Sequence, residues 1–234
     1  MFASLTLSTP TIIRNSKKHV NVAFNAGVDE FDVYIFCMCD GVVEYGPPQD
    51  ILSQWRAYAQ DGRGGVISLD MARLTGIVGH VPGLRINPVA YDPALKRTLV
   101  DGVLAEGHKR YSVGVPTAVS DTVDALIFCV PLMKHTGFSE EKEWRLIYVP
   151  PITMLPTIIQ FHSRRDFLTP FLDIKDLCTA PAPTLKPLIP ITEVMVGPSA
   201  HQGLNIKAML RKVVARFRPG LAVNSSQIPY RSLA

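Results

Sequence analysis

The spacing of apolar side chains changes period several times along the chain. From residue 2 to 36 apolar and polar types alternate in short runs: Leu5 and Leu7, then Val20, Val22 and Phe24, then Val33, Ile35 and the adjoining Phe36. A period of two predicts strands, broken at the turn-like stretch Arg14-Asn15-Ser16-Lys17-Lys18. After Pro47-Pro48 the period lengthens. Ile51, Leu52, Trp55, Tyr58 and Ala59 recur at three- and four-residue steps, which predicts a helix capped by Asp50, ended by Asp61-Gly62-Arg63-Gly64-Gly65 and followed by a strand from Val66 to Leu69.

From 71 to 119 the pattern is weak and rich in Gly and Pro; it places one helix near Asp92 to Lys109, with room for a strand on either side. Asp121 to Pro131 and Glu141 to Val149 read as strands, and Ile158 to His162 as a shorter one. Pro181, Pro183, Pro187 and Pro190 rule out a regular element at 179–190, because each removes a backbone donor and fixes φ. Ile191 to Val196 then reads as a buried strand and Gly197-Pro198 as a turn. Ala200 to Phe217 reads as an amphipathic helix with Ile206, Leu210, Val213, Val214 and Phe217 on one face. These elements predict an α+β fold: a mixed or mainly antiparallel sheet with a few packed helices. The default is one domain over 1–234, with two smaller lobes as the alternative.

Composition places the chain among globular proteins without naming a function. It has 234 residues, 47% apolar and 19% charged, enough for a sizeable core. The net charge of +4 is too small to imply a polyanionic partner unless something concentrates it. No window approaches the roughly 18 apolar residues of a membrane span, and the start lacks the pattern of a signal peptide, so a cytoplasmic protein without a membrane partner is expected. Cys37, Cys39, Cys129 and Cys178 are scattered as in a reducing compartment, and Cys37 and Cys39 are expected to be buried thiols. The histidines and cysteines lack the spacing that collects a metal, so no metal is expected.

Two clusters stand apart from ordinary core building. In Ser53-Gln54-Trp55-Arg56-Ala57-Tyr58-Ala59 the helical period turns Trp55 and Tyr58 toward the core face and Ser53 and Arg56 away from it, leaving Arg56 able to meet an anion. In Glu141-Lys142-Glu143-Trp144-Arg145 a strand would line up Glu141, Glu143 and Arg145 on one face, with about 7 Å between alternate side chains. Carboxylates held so close repel, and one pKa should rise unless Arg145 or a ligand compensates. Together the clusters suggest a shared cleft. The plainer reading keeps Trp55 and Tyr58 as core aromatics and the second cluster as a solvated strand face or an internal ion-pair network. Lys207 and Arg211 share a face of the C-terminal helix and offer a nucleic-acid contact.

The ordered motifs resemble a known family. Tyr34-Ile35-Phe36-Cys37-Met38-Cys39, the Trp55 segment with Gly64-Gly65-Val66-Ile67, Lys134-His135 with Phe138, the Glu141 segment, Val196-Gly197-Pro198 and Ser226-Gln227-Ile228-Pro229-Tyr230-Arg231 are similar, over residues 31 to 231, to the prokaryotic domain of unknown function 2971. Residues 1–30 match none of that family's opening motifs. A second resemblance, of layout, is to ADP-ribosyltransferases: a strand ending in a small residue, here Cys39, then an aromatic-rich helix, a strand and a Glu-x-Glu strand. It implies NAD as cofactor, Glu143 holding a ribose hydroxyl and stabilising an oxocarbenium-like transition state, and Glu141 assisting the acceptor nucleophile. Trp55, Arg56, Tyr58, Ser53 and Arg145 would then bind the nucleotide, with a macromolecule as acceptor.

The leading expectation is an ADP-ribosyltransferase-like protein of toxin or phage-defence type, its site incomplete or inactive without the opening motifs. The alternative is a non-catalytic module that binds nucleic acid or protein through the basic C-terminal helix.

Overall fold

The computed structural model describes residues 33–40, 50–59, 61–149, 159–164, 167–174, 189–198 and 203–229. The strands expected before residue 33, most of the proline-rich loop at 179–190, and Tyr230 and Arg231 lie outside the described residues. In chain order the elements begin with β1 (Tyr34–Cys39), α1 (Leu52–Tyr58), β2 (Gly65–Leu69), α2 (Met71–Val78), β3 (Leu84–Pro88), α3 (Pro93–Ser112) and α4 (Ala118–Cys129). Two 3-10 helices follow, Val130–Leu132 and Thr136–Glu141, then β4 (Glu143–Tyr148), β5 (Gln160–Arg164), β6 (Phe167–Phe171), β7 (Ile191–Val196), α5 (Gly203–Phe217) and β8 (Ala222–Ser225). The mixture of helices with small sheets is the expected α+β class. The described residues fall into two compact units, one drawn from 1–38 and 85–154, the other from 39–84 and 155–234.

In the first unit three strands pair in the order β1-β4-β3, and α3 packs along α4. The expected helix near 92–109 is α3. Asp92 accepts the amides of Ala94 and Leu95 at 2.6 and 2.9 Å, and Pro93 fills the first helical position, where a missing N–H costs nothing. The stretch from Asp121, expected as a strand, is instead the helix α4. Its buried residues Ala118, Thr122, Val123 and Ile127 fall on one helical stripe, with four-residue steps from 118 to 122 and from 123 to 127, and α4 packs along α3. Gly107 lets the two helices approach: a Cβ there would stand 2.0 Å from Thr122 Oγ1. Val89, Ala90, Leu146, Ile147 and Tyr148 are buried around the sheet.

In the second unit β2 runs antiparallel to β7, which pairs parallel with β8. The β7–α5–β8 connection explains the helix: parallel neighbours need a long crossover, and α5 supplies it while packing back on both strands. Strands β5 and β6 pair antiparallel in a two-stranded sheet, with β5 displaced two residues from the strand expected at Ile158. Gly197 sits where the chain leaves β7. Its N–H donates to Gly64 O at 3.0 Å, and a Cβ on it would lie 2.3 Å from Gly62 O, so only glycine fits.

The core of this unit centres on Trp55, 1% exposed, with Ala59 and Met195, flanked by Val66 and Ile228. Asp50 was expected to cap α1. The helix instead starts from Ile51 with no side-chain cap, and the Asp50 carboxylate is used over long range. It accepts the Trp55 indole N–H at 2.7 Å and the Ser226 hydroxyl at 2.6 Å on Oδ1, and the Gln227 amide at 2.7 Å on Oδ2. One ionised side chain thereby fastens the segment after β8 to the core tryptophan. Substituting Asp50→Ala strands three donors, one of them on a fully buried ring, and should cost about 2–3 kcal/mol in urea denaturation, whereas Asp50→Asn, which keeps an acceptor, should cost about half as much.

Candidate functional site

The Glu141–Arg145 stretch was expected as a continuous strand with three charges on one face. The strand begins only at Glu143: Glu141 closes a 3-10 helix, and Lys142 between them adopts φ 43°, in the left-handed region. This turn breaks the alternation, so the two carboxylates do not stand in a row. They converge on a third group, Lys134, whose Nζ donates to Glu141 Oε2 at 2.6 Å and to Glu143 Oε2 at 3.0 Å.

Backbone pairing holds Lys134 there. Ala90 bridges Met133, with Ala90 N donating to Leu132 O at 2.7 Å and Lys134 N to Ala90 O at 3.2 Å. On its other side the same short segment meets β4: Val89 N donates to Glu143 O at 2.8 Å, and Glu143 N to the Tyr91 hydroxyl at 2.9 Å. His135 Nδ1 accepts the Gly137 amide at 3.1 Å and so starts the 3-10 helix that carries Glu141. The Lys134 ammonium also lies 4.9 Å from the Phe138 ring centroid.

Arg145, two residues along β4 and therefore on the same face as Glu143, grips it in a bidentate pair. Its Nε donates to Oε1 at 2.9 Å and its Nη2 to Oε2 at 3.0 Å, while Nη1 donates to Pro131 O. From the neighbouring strand β1 the Cys37 thiol adds a further hydrogen bond to Glu143. Two carboxylates and two cations balance, and Glu143 is only 3% exposed.

The electrostatics follow from these contacts. Burial alone would raise the Glu143 pKa, but the hydrogen bonds from Arg145, Cys37 and Lys134 outweigh it and bring the carboxyl down to about 2. The condition set by the sequence, that Arg145 compensate, is met with Lys134 as second cation, and the Glu143 pKa falls. For Lys134, burial works against the charge, and its bonds to Glu141 and Glu143 reverse that and raise its pKa. Cys37 and Cys39 are both exposed residues, not the buried pair expected. Even so, protein crowding and then the Glu143 carboxylate push the Cys37 thiol up to about 11. Cys39 donates to Gln54 Oε1 at 3.4 Å.

Glu141, Glu143 and Arg145 are thus brought together in the first unit. Trp55, Arg56, Tyr58 and Ser53 belong to the second. There Trp55 is buried against Asp50, Ser53 is half-buried and Arg56 is exposed. Tyr58, expected near the core face, is 66% exposed, because two turns of helix bury only Trp55 and Ala59. Lys207 on α5 is half-buried and Arg211 exposed. Sequence reasoning missed Lys134, Tyr91 and Cys37 as members of the cluster. Lys134 had a signal, since it stands within a recognised motif, but its partners are seven and nine residues away across a turn. Among the described residues no three His, Cys, Asp or Glu side chains are placed to hold a metal, and no helix is long and apolar enough to cross a membrane.

Three outcomes follow. A carboxyl lowered from 4.5 to about 2 contributes stability that is fully present above pH 4.5 and lost as pH falls through 2. Chemical denaturation across that window should show a loss on the order of 3 kcal/mol. Glu143→Gln, which leaves Lys134 and Arg145 sharing one carboxylate, should cost about 3–5 kcal/mol at neutral pH and flatten the acid slope. With the other cysteines replaced by serine, Cys37 should react with iodoacetamide at pH 7.5 at least about tenfold more slowly than free cysteine, because its thiolate is scarce; a rate equal to free cysteine would refute the placement of its thiol against Glu143.

No curated protein and no solved structure matches the chain. Residues 54–146, from the helix that carries Trp55 to the strand that carries Glu143 and Arg145, match the model of the family described as protein of unknown function (DUF2971), and over that stretch the assignment made from the motifs holds.

Proposed function

We propose that the chain is a non-catalytic binding module whose ligand is single-stranded nucleic acid, taken up on the outer face of α5. The observation that carries this reading is a set of unpaired cations beside exposed apolar side chains. Arg211, Lys212 and Arg216 are exposed, and no carboxylate of the described residues pairs with them. Residues 194–234 hold six Lys and Arg and no Asp or Glu, which concentrates the small net charge in one stretch.

Phe217 adds the second ingredient. The helical period assigned it to the buried face, yet it is 74% exposed, and the Arg216 guanidinium lies 5.7 Å from its ring centroid. Met209 and Val213, at four-residue steps before it, are exposed as well. An aromatic and two apolar side chains among cations offer a surface for unstacked bases, with the phosphates on Arg211, Lys212 and Arg216. Arg218 takes no part: it donates to the carbonyls of Ile189 and Ile191 and ties the helix end to β7.

The transferase reading asks Glu143 to offer an oxygen to a ribose hydroxyl of NAD. Both of its oxygens already accept charge-assisted bonds, from Arg145 and Lys134, and reaching them would expose and separate a balanced ion cluster. The same commitments suit a cluster whose work is to hold β4, the 3-10 helices and β1 in place.

Fluorescence anisotropy with a labelled oligothymidylate tests the proposal. Binding should weaken with salt, and replacing Arg211, Lys212 and Arg216 together by Ala should abolish most of that dependence, a loss of about 2 in the log–log slope. Phe217→Ala should cost about 1–3 kcal/mol of affinity for the single strand and little for a duplex. Absence of binding at low salt, or binding indifferent to the triple substitution, would overturn the proposal, and calorimetric uptake of NAD that Glu143→Gln abolishes would favour the transferase.

A further inference from the structure

The first unit contains a cavity of about 430 Å³ between β3 and α4, lined by Arg85, Asp121, Asp124, Ala125 and Phe128. Its charges are arranged unlike those of the Glu143 cluster. Asp121 is satisfied: Arg110 Nη2 lies 2.6 Å from its Oδ2, and the Thr117 hydroxyl donates to the same oxygen at 3.0 Å. Asp124, three residues on and so on the same side of α4, has no hydrogen bond or ion pair among the described residues. Arg85 has none either. Its guanidinium stands 4.9 Å from the centroid of the Phe128 ring, which holds it over the aromatic face with its donors unused.

One cavity thus holds a cation and an anion that do not pair with each other, since no ion pair within 4.0 Å joins them. Unlike charges in one recess ordinarily close on each other unless the backbone keeps them apart; here a strand carries one and a helix the other. With Asp121 neutralised by Arg110, the remaining charges of the wall sum to zero, which selects against a simple anion or a simple cation. Ala125 and Phe128 give the recess an apolar floor. The Asp124 carboxyl is raised above its usual value, by burial first and by Asp121 second, and a carboxylate so placed gains from a ligand ammonium.

We propose that this cavity binds a small zwitterion of the amino-acid class, its carboxylate on the Arg85 guanidinium, its ammonium on Asp124 and its side chain against Ala125 and Phe128. Bidentate Arg–carboxylate and ammonium–carboxylate contacts would replace two sets of unused donors and acceptors at once, and the volume accommodates a free amino acid or a dipeptide. This site is independent of the nucleic-acid surface, which belongs to the other unit.

The test is an amide-resolved NMR titration of the whole chain with the twenty free L-amino acids and, as single-charge controls, phenethylamine and hydrocinnamate. The proposal expects at least one amino acid to shift resonances of Arg85, Asp124 and Ala125 in a saturable manner, with either control at least tenfold weaker. Arg85→Gln and Asp124→Asn, both at exposed positions, should each weaken that binding tenfold or more with an otherwise unchanged spectrum; should one fail to fold, the other decides. Saturation by none of the amino acids, equal affinity for a control, shifts confined to residues outside the cavity, or unchanged affinity in the variants would each overturn it.

Discussion

Glu143 is a carboxylate buried almost completely in a strand, and the first unit is arranged so that this charge is tolerable. An isolated ionised side chain in that position would be neutralised or expelled. Here it is kept ionised by a bidentate arginine on its own strand, a lysine delivered by a segment paired to Ala90, and a thiol from the adjacent strand. Each partner imposes a structural demand. Arg145 must sit two residues along, Lys134 must follow the bridge at Met133, and Glu141 must swing out of the strand to balance Lys134, which the left-handed turn at Lys142 achieves. Removing any one leaves the others as uncompensated charges, so the cluster specifies the local fold more than it adds to stability.

A carboxylate in the second unit works by the same logic with neutral donors. Asp50 gathers an indole, a hydroxyl and an amide, two of them from 176 and 177 residues away in sequence. Of the two clusters that first suggested a cleft, the Glu141–Arg145 charges are explained by contacts inside the first unit, and Trp55 by contacts inside the second. The motif glycine at 197 and the motif histidine at 135 are likewise explained by packing and capping. Among the described residues, the outer face of α5 and the recess beside Arg85 carry charges that no ion pair takes up, and the two proposals rest on them.

Much of the architecture was legible because it depends on local period. The helices at Trp55, Asp92 and Ile206, the strands at Val66 and Ile191, and the α+β class all follow from the spacing of apolar positions. The helix α4 was not, because Ala125-Leu126-Ile127-Phe128-Cys129-Val130 is apolar without interruption and rich in branched side chains, and only its packing along α3 shows which positions are buried. At the site, Glu143 and Arg145 were legible as an i, i+2 pair. Lys134 and Cys37 were not, since strand pairing brings them in from segments whose register no local pattern encodes. Asp50 and Phe217 are failures of the opposite kind: local rules assigned a cap and a buried face, and long-range contacts used one side chain differently and left the other in solvent.

The central claim is that Glu143 is held ionised by its neighbours as a structural charge. It is tested most directly by following the side-chain carboxyl carbon of Glu143 by NMR as the folded protein is titrated with acid. The account predicts a midpoint near pH 2, rising when Arg145 is replaced by Met. A midpoint at or above the ordinary glutamate value, the signature of a carboxylate free to exchange its proton and to take up a substrate, would contradict it.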